Sequence, residues 1–239
     1  DDFSPGIDLV GSSAVIKNSS IINNHVNFTG NDFILSEEHV AGGIGITNPG
    51  TAITQIINTT ISGNRSITGG GISIRDTNSR STESGTFIFV KFIHTTISNN
   101  QALFGGGVVV HNVNSSYSFN HSIIVGNMAE QELGRELLVV QGANLTLDGS
   151  NLIQQHTMTP ELSNLLGASD IVSNQDIEQL LNPLENIKGH WVHPLKPGSD
   201  AIDSGDDNCL ITTDQLNLVR PIDGDQDGVA SCDIGSVEF

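Results

Sequence analysis

Asn58-Thr59-Thr60-Ile61-Ser62-Gly63-Asn64, followed by Gly69-Gly70-Gly71-Ile72-Ser73-Ile74, is the stretch that decides the fold. Each phrase is a short run of β-branched residues bounded by Asn or Gly, and these two types accept the left-handed backbone of a sharp turn. Both phrases therefore read as strand and turn, and both recur. The first returns as Asn18-Ser19-Ser20-Ile21-Ile22-Asn23-Asn24, His94-Thr95-Thr96-Ile97-Ser98-Asn99-Asn100 and His121-Ser122-Ile123-Ile124-Val125-Gly126-Asn127. The second returns as Gly42-Gly43-Ile44-Gly45-Ile46 and Gly105-Gly106-Gly107-Val108-Val109-Val110, with a weaker copy that lacks glycine at Glu136-Leu137-Leu138-Val139-Val140.

The closing asparagines Asn24, Asn64, Asn100 and Asn127 are 40, 36 and 27 residues apart, yet Asn64 to Gly71 and Asn100 to Gly107 are both seven. A fixed turn between variable connections is the mark of a solenoid with loop insertions, and Phe28–Val40 and Asp76–Gly85 are the candidates. The four asparagines, stacked at equivalent turns, are expected to pair their amides from one level to the next as a structural ladder. Helical periodicity is nearly absent here, which argues against helical or leucine-rich repeats. The regularly interleaved Ile, Val and Phe argue against disordered low complexity.

After residue 156 the pattern changes. Thr159 precedes Pro160 at a first helical position, with Gly167 beyond, and Ser173 with Asp176 reads as a capping box. Ile177, Leu180, Leu181 and Leu184 fall on one helical face and are expected to plug the apolar end of the stack. The chain thus reads as all-β, with solenoid levels over 1–156 and a C-terminal capping region over 157–239 containing short helices and a stapled loop. The staple is expected between Cys209 and Cys232, the only two cysteines, which flank a Gly- and Asp-rich stretch with little apolar material; two buried thiols are the alternative.

At this point the sequence resembles a known group. The phrases "GGGI" and "TTISGN" are similar to those of bacterial right-handed parallel β-helix surface proteins, including the polymorphic outer-membrane protein repeats. "NPLENIKGHWVHPLKPGSDAIDSG" and "TDQLNLVRPIDGDQDGVASCDIGSVEF" resemble, in order and in their cysteines, the choice-of-anchor Q domain over roughly 151–239. The resemblance implies a right-handed parallel β-helix on a bacterial cell surface and implies no catalytic activity. "GHWVHPL" departs from the more Gly/Pro/Thr-rich segment usual there, and no attachment device follows Phe239.

Charge narrows the function further. Nine Lys and Arg against twenty-seven Asp and Glu give a formal net charge of -18. Such a surface repels nucleic acid and anionic lipid and attracts divalent cations. No stretch approaches the ~20 apolar residues of a membrane span, and the start of the chain carries no signal-peptide pattern, so a secreted or cell-surface chain is expected with any signal or anchor outside it.

Asp223-Gly224-Asp225-Gln226-Asp227-Gly228 has carboxylates at alternate positions before a glycine, the spacing that curls oxygens around calcium. The twelfth position is Ile234, which excludes an EF-hand, so the expected ligands are Asp223, Asp225 and Asp227 with Asp233 or a carboxylate elsewhere completing a different site; the alternative is an acidic surface turn. Asp200, Asp203, Asp206, Asp207 and Asp214 form a second cluster, for which turn-capping hydrogen bonds are an equally good reading. An enzyme of the polysaccharide lyase or glycosidase type is the competing class, because β-helices carry such chemistry. It requires paired carboxylates or clustered cations, whereas Lys17, Arg65, Arg75, Arg80, Lys91 and Arg135 are scattered. His190 and His193 flank Trp191 and read as packing residues. The expected partners are surface glycans or, if Asp1 is the mature N-terminus, a second copy of the chain joined head to tail through Ile7–Ile22.

Overall fold

In the computed structural model, residues 5–26, 41–47, 53–75, 88–111, 115–140, 144–147, 149–154, 160–206 and 209–239 are described; both expected insertions lie outside them. The described residues are mostly strand, with little helix, and they pass through the same stations repeatedly. The first pass holds β1 (Ile7–Val10), β2 (Ala14–Lys17) and β3 (Ser20–Ile22), and the second holds β4 (Ile44–Thr47), β5 (Ile53–Ser62) and β6 (Arg65–Thr68). The third holds β7 (Ile72–Arg75), β8 (Ile88–Ser98) and β9 (Gln101–Phe104). The fourth holds β10 (Val108–His111), β11 (Ser115–Asn120), β12 (Ile123–Val125) and β13 (Met128–Ala129). The fifth holds β14 (Leu137–Val139), β15 (Asn144–Leu147) and β16 (Leu152–Gln154), and β17 (Ile171–Ser173) follows.

These strands make three parallel sheets. One runs β1-β4-β7-β10-β14; the largest collects the strands from β2 and β3 through β5, β8 and β12 to β17; the third runs β13-β9-β6. The register confirms the repeat reading, because Ile7, Ile44, Ile72, Val108 and Leu137 are direct partners down the first sheet. It also reveals a copy with only one glycine: Gly6-Ile7-Asp8-Leu9 is the Gly-rich phrase of the first pass. Inward positions form a continuous apolar core. Ile56, Phe92 and Phe119 stack in one column, the two Phe rings 4.3 Å apart and nearly coplanar at 7°.

Two corners explain the Asn and Gly content. Asn18, Asn58, His94, His121 and Ser150 are left-handed at one corner, with φ between 45° and 50°. At the other corner Asn23, Gly63, Asn99 and Gly126 are left-handed, and each precedes a ladder asparagine. The glycines of the second phrase serve space. A Cβ on Gly71 would sit 2.7 Å from the Gly107 carbonyl oxygen and 3.0 Å from Asn100 Nδ2. Gly71→Ala is therefore expected to cost about 2 kcal/mol in urea unfolding, since backbone rather than a flexible side chain must yield. A loss within about 0.5 kcal/mol would show that the corner gives way freely.

The capping region differs from expectation. α1 (Pro160–Ser163) does cover the far end of the core, where Leu162 is buried and Leu165 and Leu166 pack beside it. The expected plug of Ile177, Leu180, Leu181 and Leu184 does not. α2 (Ile177–Leu180) is one turn, capped by Asp176 with Gln179 rather than by Ser173, which lies in β17. Its Leu180 and Leu181 pack sideways, with Leu195, Ala201, Ile202 and Ile234, on the outward residues Ile123, Val125 and Leu152. The reason lies in the register. Down the outer face of the large sheet, Ser20, Thr60 and Thr96 give way to Ile123, Leu152 and Ile171. That apolar half needs cover, and residues 177–239 supply it along the side of the stack. An antiparallel hairpin, β18 (Glu185–Ile187) and β19 (His190–Val192), reaches back to the first pass, where Ser20 Oγ donates to the Trp191 carbonyl.

Candidate functional site

The asparagine ladder forms as expected. Asn24 Nδ2 donates to Asn64 Oδ1, Asn64 Nδ2 to Asn100 Oδ1, and Asn100 Nδ2 to Asn127 Oδ1, each at 2.9 Å. Each acceptor oxygen also takes the backbone N–H of the preceding asparagine at 3.0 Å. The ladder ends on a residue the sequence did not single out for this role. Glu136 takes the place of the corner glycine in the last pass, is fully buried, and accepts from both Asn127 Nδ2 and Asn127 N–H. Burial pushes its carboxyl up to about 8, against the pull of those hydrogen bonds and of Arg135. A second ladder at the other corner ends in the same way: Ser122 N–H donates to Asn151 Oδ1, and Asn151 Nδ2 donates to Asp170 Oδ1.

The acidic loop is organised from behind. Asp203 Oδ2 accepts the Gly224 and Asp225 N–H groups at 2.8 and 2.9 Å, and its Oδ1 accepts that of Ser231 at 3.0 Å. Single carboxylate oxygens of Asp203, Asp223 and Asp225 lie within 4.8 Å of one another. That spread matches oxygens bound to one calcium at about 2.4 Å. Among the described residues Asp223 Oδ1 is shut from solvent without a hydrogen-bond partner, as a ligand oxygen would be. The structure does not bring the expected Asp227 and Asp233 into this group. Asp227 Oδ1 closes its own turn on the Val229 N–H, and Asp233 is buried behind the loop, accepting from the Asp203 and Phe239 N–H groups. Of the second cluster, Asp203 joins the first. Asp200 accepts from Ser173 Oγ, Asp206 faces His121, Asp214 caps the Leu216 and Leu218 N–H groups, and Asp207 lies outside the described residues.

Behind the loop sits a buried ionic group. Arg220 Nη1 donates to Glu238 Oε1 and to the Asp233 carbonyl, and Nη2 donates to the Gly235 carbonyl. Burial raises Glu238 to about 7 and Asp233 to about 6, while Arg220 pulls both down. Raised carboxyls are what a general acid needs, but these are at most 6% exposed and most of their oxygens are occupied by Arg220 and backbone N–H groups. Their chemistry is to hold chain segments together.

The remaining contacts fix the C-terminal region across the passes. Cys209 and Cys232 are joined in a disulfide with Cα atoms 5.5 Å apart. His94 Nε2 lies 2.9 Å from the Cys209 carbonyl, and the His94 and His121 rings stack 4.7 Å apart. His193 is buried, with Nε2 2.8 Å from Ser62 Oγ and Nδ1 2.8 Å from the Asn182 carbonyl. Desolvation lowers the pKa of all three histidines, so their rings are held neutral. Trp191 remains 41% exposed. Of the scattered cations, Arg65 and Arg135 are engaged with Glu130 and Glu132. In comparisons with protein families, curated proteins and solved structures, the chain matches no family model, no curated protein and no solved structure.

Proposed function

We propose that this chain is a right-handed parallel β-helix serving as a non-enzymatic structural or adhesive module of an extracellular or cell-surface protein. The observation that carries this reading is where the buried polar chemistry goes: Asn64, Asn100, Asn127 and Glu136 tie one pass to the next, His94, His121 and His193 tie the C-terminal region to the passes, and Arg220 with Asp214, Asp233 and Glu238 ties that region together. Handedness follows from the strong preference of parallel crossovers for the right-handed path. A disulfide favours an oxidising compartment, and among the described residues no helix is long and apolar enough to cross a membrane. Negative-stain micrographs of the native material are expected to show short rigid rods or filaments. Release of product from any member of a panel of acidic and neutral polysaccharides would overturn the reading in favour of a lyase or hydrolase. Binding on a glycan array would favour surface glycans as partners.

Self-association through Ile7–Ile22 belongs to the same proposal. Ile7, Leu9 and Ile16 are only partly buried there, whereas Leu162 covers the far end of the core. A head-to-tail contact would therefore join the first pass to the outside of that cover.

Calcium is proposed as a structural ligand of Asp203, Asp223 and Asp225. Saturating calcium is expected to raise Tm by about 5 °C over chelator, because it binds the folded loop alone. Asp225→Asn keeps the acceptor for the Asp227 N–H and is expected to remove that increment while leaving the chelated Tm nearly unchanged. Equal melting temperatures in calcium and chelator would eliminate the site.

A further inference from the structure

The C-terminal region grips the stack in two different ways. Over the fourth and fifth passes the contact is apolar, through Leu180, Leu181, Leu195, Ile202 and Ile234. Over the first two passes the loop 209–231 lies on hydroxyls and amides, and on the third the His94 ring meets the Cys209 carbonyl. Asn58 Nδ2 donates to the Thr213 carbonyl at 2.6 Å, and Thr60 Oγ1 to Gln215 Oε1 at 2.7 Å. Gln215 Nε2 donates to the Ser19 carbonyl and to Ser20 Oγ, both at 3.0 Å. The buried side chains of this loop are Asp214, Gln215 and Arg220, all polar, while Leu210, Leu218 and Val219 point to solvent. A polar face can be rehydrated at far smaller cost than an apolar one, so lifting this loop uncovers no core. Two ties close it, the buried ion pair of Arg220 with Glu238 and a covalent one, Cys209 and Cys232 standing at its two ends.

We propose that residues 209–231 form a lid over the Ser20 and Thr60 face, locked by the Cys209–Cys232 disulfide and released by thiol reduction. A dithiol delivers two electrons and two protons to the pair, leaving two cysteine thiols and its own cyclic disulfide. The loop is then held by its hydrogen bonds, by the buried Arg220–Glu238 pair and by its chain ends. Loss of the closure constraint raises the lifted population about a hundredfold. The passes themselves stay intact, since their core does not involve the loop.

The test is limited digestion of the whole chain by a non-specific protease, with and without dithiothreitol, mapping cuts by mass spectrometry. Reduction is expected to accelerate cleavage between 209 and 231 by about a hundredfold, while residues 53–75 and 88–111 stay uncut and the far-ultraviolet β signal persists. The double variant Cys209→Ser, Cys232→Ser is expected to behave as the reduced protein without reductant. Gln215→Ala, which removes the bonds to Thr60, Ser19 and Ser20, is expected to speed cleavage further only when the disulfide is open. Unchanged cleavage on reduction would show that hydrogen bonds alone seat the loop and would overturn the lock. Loss of the β signal together with the loop would overturn the lid, since the loop would then be an integral part of the stack.

Discussion

Asn100→Ala is expected to destabilise the fold by about 4 kcal/mol, several times more than Asn24→Ala, although both remove one ladder amide. Asn100 is 1% exposed, accepts from Asn64 N–H and Nδ2, and donates to Asn127 Oδ1 and to the Ile61 carbonyl. Truncation strands buried donors and acceptors on both neighbouring passes, each costing about 1–3 kcal/mol, and leaves a gap that the stacked backbone cannot collapse into. Asn24 is half-buried in the first pass, where water reaches the groups left behind, and about 1 kcal/mol is expected there. Asn100→Asp keeps the acceptor but loses the donor to Asn127 and buries a charge, so it should be no better tolerated than alanine. Urea unfolding of the three variants decides the matter. Equal losses at Asn24 and Asn100 would refute the ladder as a continuous buried network.

How much of this was legible in the sequence depends on what each feature requires. The ladder was legible because its partners repeat: four asparagines each close the same phrase, and a parallel stack of identical phrases puts identical side chains in contact. The first-pass copy at Gly6-Ile7-Asp8-Leu9 was not, because a single glycine before an alternating tetrapeptide is too short a signal without its partner Ile44. Glu136 opens the weaker copy of the Gly-rich phrase, yet it departs from glycine for a reason. With no further asparagine to receive Asn127, the corner needs an acceptor, and a side chain rooted at the glycine position reaches it. Asp170 ends the second ladder by the same logic. The acidic loop was legible as a turn, but its third member was not. Asp203 comes from a segment 20 residues earlier, joined to the loop by its carboxylate accepting from the Gly224, Asp225 and Ser231 N–H groups and by the Cys232 carbonyl accepting from Gly205 N–H. The helical plug failed because periodicity shows that Leu180 and Leu181 are buried but not against what. The answer lay in the change from Ser and Thr to Ile and Leu on the outward face, which becomes visible only once the register is known.

Glu136→Gln is expected to stabilise the protein, and to do so in proportion to pH. In the native chain the carboxyl is raised from 4.5 to about 8, chiefly by burial. Below about pH 4.5 the folded and unfolded states both carry the proton and the group favours neither. Between about 4.5 and 8 the native state holds a proton that the unfolded chain has released, so stability falls as pH rises, and above about 8 the whole loss is present. Glu238 and Asp233, raised to about 7 and 6, act in the same direction. The neutral histidines His94, His111, His121 and His193 act oppositely, since stability is lost as pH falls below 6.5 and the unfolded rings take up protons. The wild-type profile therefore mixes both slopes, and the difference between wild type and variant isolates one group. Glutamine keeps an oxygen to accept from Asn127 N–H and Nδ2 and has no charge to bury. The two proteins are expected to be nearly equal at pH 5 and to diverge to on the order of 4 kcal/mol at pH 9, the variant being the more stable. The measurement is chemical unfolding across that range. Parallel profiles would mean that the carboxylate at the end of the ladder is ionised or solvated at every pH tested. Glu136 would then leave the ladder open to water at its last rung, and the neutral-acceptor account of how the asparagine stack terminates would be wrong.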